Sequence, residues 1–153
     1  PAGHRRPVLP LPQCRAGGLI PVFEALGICG TSMNVHQTWM DAISDNIANV
    51  NTVKSMNQEA FQARYVVATS LEDGGTGSGV AVHEIGFGNA EGRIVHAPDH
   101  PLADERGLVR LPDVDLGEQM TTLVMAQRGY QASVSNLTRV KACYDAAIQM
   151  GRG

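Results

Sequence analysis

The residues best suited to chemistry lie between positions 96 and 104. His96 and His100 are four apart, with Asp99 and Asp104 beside them, which are the donor types of a metal site or of a metal-dependent hydrolase. Two histidines at that spacing face one ligand only on a helix. Pro98 and Pro101 bracket His100 in "HAPDHPLADERG" and break any helix there. The segment therefore predicts a loop whose Asp and Pro residues set turns and whose second histidine is an anchor. Asp41, Asp45 and Glu59 are carboxylates that nothing places in an apolar pocket, so solvated faces are expected, and Glu72 with Asp73 is the same case. "GTGSG" (75–79) has the glycine content of a phosphate loop but no lysine or helix start after it. His36 has no aligned nucleophile, and reads as core-facing or stacking. Cys14, Cys29 and Cys143 form no CxxC pair, so reduced thiols are expected, with a Cys29–Cys143 bridge open only if their helices touch. The reading is of a protein without catalytic residues, metal or cofactor; a hydrolase using His96, Asp99, His100 and Asp104 is the enzymatic alternative.

The elements that carry these side chains are two long helices around a β-prone middle. Leu26, Cys29, Met33, His36, Met40, Ile43, Ile47 and Val50 recur in alternating steps of three and four, the spacing of a heptad seam. It predicts a helix from about Phe23 to Val50. A second seam runs through Leu116, Met120, Leu123, Gln127, Tyr130, Val134, Leu137, Lys141, Tyr144 and Ile148. Asp115 with Glu118 three residues on is an Asp version of the capping box, and Gly151 marks the stop. At 1.5 Å per residue that helix is roughly 50 Å long. Pairing as an antiparallel coiled coil would bury both stripes. Polar His36, Gln127 and Lys141 interrupt them, and Gly27, Gly30, Gly117 and Gly129 each cost about 1 kcal/mol against alanine. A marginal pair is stabilised by further copies around it. A free-standing coiled-coil adaptor is the other non-enzymatic alternative.

Between the helices, "FQARYVVATSL" (61–71) and "VAVHEI" (80–85) read as strands around the turn or loop "EDGGTGSG", with a third short strand near 92–96. The fold class is mainly α. Residues 22–52 and 113–153 form the paired-helix part, 53–112 a small β-hairpin or irregular segment, and 1–21 an irregular extension. That extension holds Pro1, Pro7, Pro10, Pro12 and Pro21 with Arg5, Arg6 and Arg15, and lacks the unbroken apolar run of a secretory signal. No window reaches the roughly 18 apolar residues of a membrane span, so no insertion is expected. Only 5% of the 153 residues are aromatic and 17 are glycine, which suits an elongated or partner-dependent protein better than an enzyme core. A net charge of -3 excludes the basic footprint of a nucleic-acid binder.

The first helix ends in "DNIANVNT" (45–52). Ile47 and Val50 continue the seam, whereas Asn46, Asn49 and Asn51 do not belong to it. A helix stop accounts for one asparagine, and amides of Asn46 or Asn49 reaching a neighbouring chain would account for more.

"MDAISDNIANVNT" (40–52) resembles the signature of flagellar basal-body rod, hook and hook-associated proteins. "EQMTTLVMAQRGYQASVSNLTRVKACYDAAIQM" (118–150) is similar to that family's C-terminal helix, including Arg128, Tyr130, Gln131 and Ala132. "HPLADERGLVRLPDVDLGEQM" (100–120) resembles its proximal-rod members. Ser133, Asp113 and Asp115 depart from the asparagines common there. The resemblance implies a structural subunit that assembles with itself, other rod proteins, the export apparatus or MS-ring adaptor and distal rod subunits. It implies a place in the basal-body rod within the periplasm, reached by export without a cleaved signal. The paired helices would form a helical tube that surrounds the export channel and transmits torque. It points to Leu26, Met33, Met40, Ile43, Ile47 and Val50 on one helix, and to Leu116, Met120, Leu123, Tyr130, Val134, Leu137 and Tyr144 on the other, as the assembly seam. Asn46, Asn49, Asn51, Arg128 and Gln131 would carry the family motif.

Overall fold

The computed structural model describes residues 20–73 and 76–152. Helix α1 spans Ile20–Asn49 and helix α2 spans Leu116–Gly151. Between them come strands β1 (Arg64–Asp73), β2 (Thr76–Phe87), β3 (Arg93–His96) and β4 (Leu108–Leu111). Two long helices thus flank an antiparallel β region. Helix α1 starts inside the stretch expected to be irregular, and Pro21 falls in its first turn, where a missing N–H goes unused; residues 1–19 of that stretch lie outside the described residues.

Helix α2 begins where the capping pattern placed it. The Asp115 carboxylate accepts from the backbone N–H groups of Gly117 at 2.7 Å and Glu118 at 3.2 Å, satisfying two donors of the first turn. The helices run antiparallel: Phe23 meets Tyr144 edge to face, with ring centroids 6.2 Å apart, and Asn46 meets Gln119 near the other end.

The β region is larger than the small hairpin expected. Strands β1 and β2, of ten and twelve residues, pair antiparallel, with register shifts at Val67/Ala68 and Leu71/Glu72. Glu72, Asp73 and 76–79, expected in a loop, belong to these strands, because ladder bonds need only backbone and the hairpin leans on α1 for support. The prop is visible at Thr31, whose hydroxyl accepts from the Val80 N–H at 3.2 Å.

Strands β3 and β4 form a second two-stranded sheet. Lys54 bridges to Arg110 by a reciprocal pair of backbone bonds at 2.8 and 2.9 Å, tying the α1–β1 connection to β4. Gly92 and Gly107 hold φ of 60° and 72°, left-handed values that glycine adopts without strain. The buried apolar core is short: Ala42, Ile43, Ala60, Ala63, Val109, Val114 and Ala126.

Candidate assembly interface

The contact between the helices is built from polar pairs, Ser32 with Ser133 and Asn46 with Gln119, an aromatic pair at Phe23 and Tyr144, and one small-against-large contact at Gly129. Gln119, Ala126 and Ser133, seven apart, are the buried residues of α2. The predicted seam is therefore turned by about one residue. One of its rows, Leu123, Tyr130, Leu137 and Tyr144, is half-buried along the pair. The other, with Met120 (57% exposed), Gln127, Val134 and Lys141, faces outward, and Leu116 is 42% exposed beside a cleft that Val50 also lines. The His36 ring on α1 fits this rotation, since it needs a slot rather than more bulk opposite it. On α1, Ile43 is buried and Leu26, Met33, Met40 and Ile47 are half-buried, as is Val50 in the turn just after it.

His36 shows why. Its Nδ1–H donates to the Ser32 carbonyl at 2.7 Å, and its ring lies where a Cβ on Gly129 would stand. Gly129, read from sequence as a weak point of α2, is thus the slot for an imidazole. One turn along, the Ser133 hydroxyl donates to the Gly129 carbonyl at 3.0 Å and accepts from Ser32 Oγ at 2.9 Å. Ser32 and His36 do not make a catalytic pair. His36 Nδ1 lies 3.5 Å from Ser32 Oγ, but its proton goes to the Ser32 carbonyl and the Ser32 hydroxyl is directed to Ser133, so Nδ1 does not act as a base toward it.

Asn46 is the most deeply buried polar residue among the described residues, 1% exposed. Its amide donates to the Arg64 carbonyl and to Gln119 Oε1, both at 3.0 Å, while its Oδ1 accepts from the Arg64 N–H at 2.7 Å. The side chain pairs with both backbone groups of the first β1 residue, as a neighbouring strand would, and holds α2 with its second amide hydrogen. An inter-chain contact by Asn46 is thereby excluded, because its donors are spent inside the chain and water cannot reach it. The neighbouring Asp45 carboxylate pairs with the Arg64 guanidinium at the surface. Asn49 is the helix stop: its amide donates to the Asp45 carbonyl at 2.9 Å and its Oδ1 accepts from the Thr52 hydroxyl at 3.2 Å. Asn51, Arg128 and Gln131 are exposed.

The loop between β3 and β4 is held by its own backbone and side chains. Asp104 Oδ1 accepts from the N–H groups of Arg106 at 2.9 Å and Leu108 at 2.8 Å, and His100 Nδ1 accepts from Leu102 N–H at 3.2 Å. His100 thus anchors the loop. Among the described residues no three His, Cys, Asp or Glu side chains converge on one point, and no helix is long and apolar enough to cross a membrane. Cys29 is half-buried and Cys143 exposed, both as free thiols; Cys14 lies outside the described residues.

Large apolar side chains remain outside: Phe23 and Ile28 on α1, Met120, Val124 and Met125 on α2, and Tyr65, Val67 and Phe87 on the hairpin.

No protein-family model matches the chain. Its similarity to named proteins covers most of this chain and nearly the whole of each relative. The flagellar basal-body rod protein FlgC of Yersinia enterocolitica is 30% identical over 135 residues, 88% of this chain and 98% of that one. FlgC of Escherichia coli O6:H1 is 28% identical over the same shares of both chains, and FlgC of Bacillus subtilis 26% over 147 residues, 85% of this chain and 98% of that one. With the paired terminal helices in place and nearly the whole of each relative covered, the chain belongs to the flagellar basal-body rod protein FlgC family.

Proposed function

We propose that the chain is a non-enzymatic structural subunit of the proximal rod, polymerising with copies of itself and other rod proteins into a helical tube around the export channel. The observation that carries this reading is the similarity to FlgC proteins over 88% of this chain and 98% of the relative. The apolar surface left outside the helix pair supports it, because a heterologous contact that does not close on itself builds a helical polymer. The paired helices form the tube wall as an antiparallel coiled coil completed by neighbours, and the β segment stands to one side. In this reading the subunit reaches the periplasm by export without a cleaved signal, transmits torque, and meets the export apparatus or MS-ring adaptor and distal rod subunits.

The test replaces the chromosomal copy in the source bacterium. Ile47→Asp should abolish swimming in soft agar and remove the chain from purified basal bodies, while the chain is still exported from the cytoplasm. Normal swimming with that variant would defeat the assignment of the seam.

A further inference from the structure

We propose that the polar contacts between α1 and α2 fix their axial alignment: Asn46 with Gln119, supported by Ser32 with Ser133 and by His36 in the Gly129 slot, admits one register and excludes those a heptad away. The proposal concerns the single chain and stands apart from the rod reading.

Apolar seams that repeat every seven residues are nearly degenerate under a slide of seven, because each large side chain meets an equivalent one after the shift. The polar pairs are not degenerate. From Ser32 to His36 to Asn46 the α1 positions rise by four and then ten, and their partners Ser133, Gly129 and Gln119 fall by four and then ten, so all three contacts belong to one alignment. A slide of one heptad sets Asn46 against Ala126 or Pro112, neither of which has an amide. It sets Ser32 against Val140 or Ala126, and His36 against Asn136 or Thr122, whose Cβ atoms stand where Gly129 has none. Asn46 cannot follow a sliding helix, since Arg64 holds its amide from the hairpin side. A buried amide left without its partner is strongly disfavoured, so the alternatives are penalised at three points together.

Disulfide trapping in the full chain, with Cys14, Cys29 and Cys143 replaced by Ser, reads the register directly. Ser32→Cys with Ser133→Cys reports the observed alignment, where the two hydroxyl oxygens lie 2.9 Å apart. Ser32→Cys with Val140→Cys reports the slide. With Asn46 present, the first pair should cross-link within the chain at least about tenfold faster than the second; in Asn46→Leu at equal helix content by circular dichroism, the ratio should fall to about threefold or less. A ratio below tenfold with Asn46 present, or one unchanged by Asn46→Leu, overturns the proposal. If Asn46→Leu loses helix, the double variant Asn46→Leu/Gln119→Leu, which leaves neither amide unpaired, decides. A helical double variant with the lowered ratio upholds the proposal. One with an unchanged ratio, or one that is not helical, overturns it, because the amides then serve folding and not alignment.

Discussion

Side chains adjacent in sequence have unequal weight here. Asp45 and Asn46 both contact Arg64, but the Asp45–Arg64 ion pair is about half exposed on each side, and pairs of that kind contribute at most about 1 kcal/mol. Asn46 has no access to water, and removing it strands the Arg64 N–H and the Gln119 side chain. Urea denaturation of the full chain should show Asn46→Ala losing about 2–3 kcal/mol and Asp45→Ala less than about 1. The helix glycines separate in the same manner. A Cβ on Gly30 meets nothing within 4 Å, so Gly30→Ala should stabilise by about 0.5–1 kcal/mol through helix propensity. Gly129→Ala should instead destabilise by about 1–2 kcal/mol, as its Cβ overlaps the His36 ring, and His36→Ala in the same chain should restore the loss. A higher melting temperature for Gly129→Ala alone would mean that the imidazole can leave its slot.

The helices themselves follow from local rules, and both were legible in sequence: a heptad recurrence sets each length, Asp115 starts α2 and Asn49 ends α1. Asp115→Ala should cost about 1 kcal/mol and raise amide exchange in the first turn of α2 while leaving α1 protected. The face of α2 turned inward was not legible. Large apolar residues occupy two rows of α2, and sequence favours the bulkier, whereas the His36 ring on α1 calls for a residue without a side chain opposite, which is Gly129. Ala126, Gly129 and Ser133 at the interface are a weak signal by composition, though their regular spacing is the trace that could have revealed them. The hairpin was underestimated for a related reason. Its glycines argue for a loop when the segment is considered alone, and only the Thr31 contact from α1 shows what steadies the strand.

For the whole molecule the core is too small to use all of its apolar surface, and the remainder stays on the outside of the helices and hairpin. Met120→Glu and Met125→Glu should leave the circular dichroism of the dilute chain unchanged while reducing self-association in sedimentation, since both side chains are more than half exposed. A fall in monomer helix content would place them in the internal pair instead. The antiparallel pairing also has a consequence in time. Ser32 and its partner are 101 positions apart and Asn46 and Gln119 are 73 apart, so the bonds that join α1 to α2 are among the least local in the chain. A chain emerging N-terminus first can close its hairpin early, because those strands are neighbours in sequence. Helix α1 must wait for the arrival of residues 119–133, so completion of the fold is deferred until they have emerged and proceeds at the pace of a long-range search.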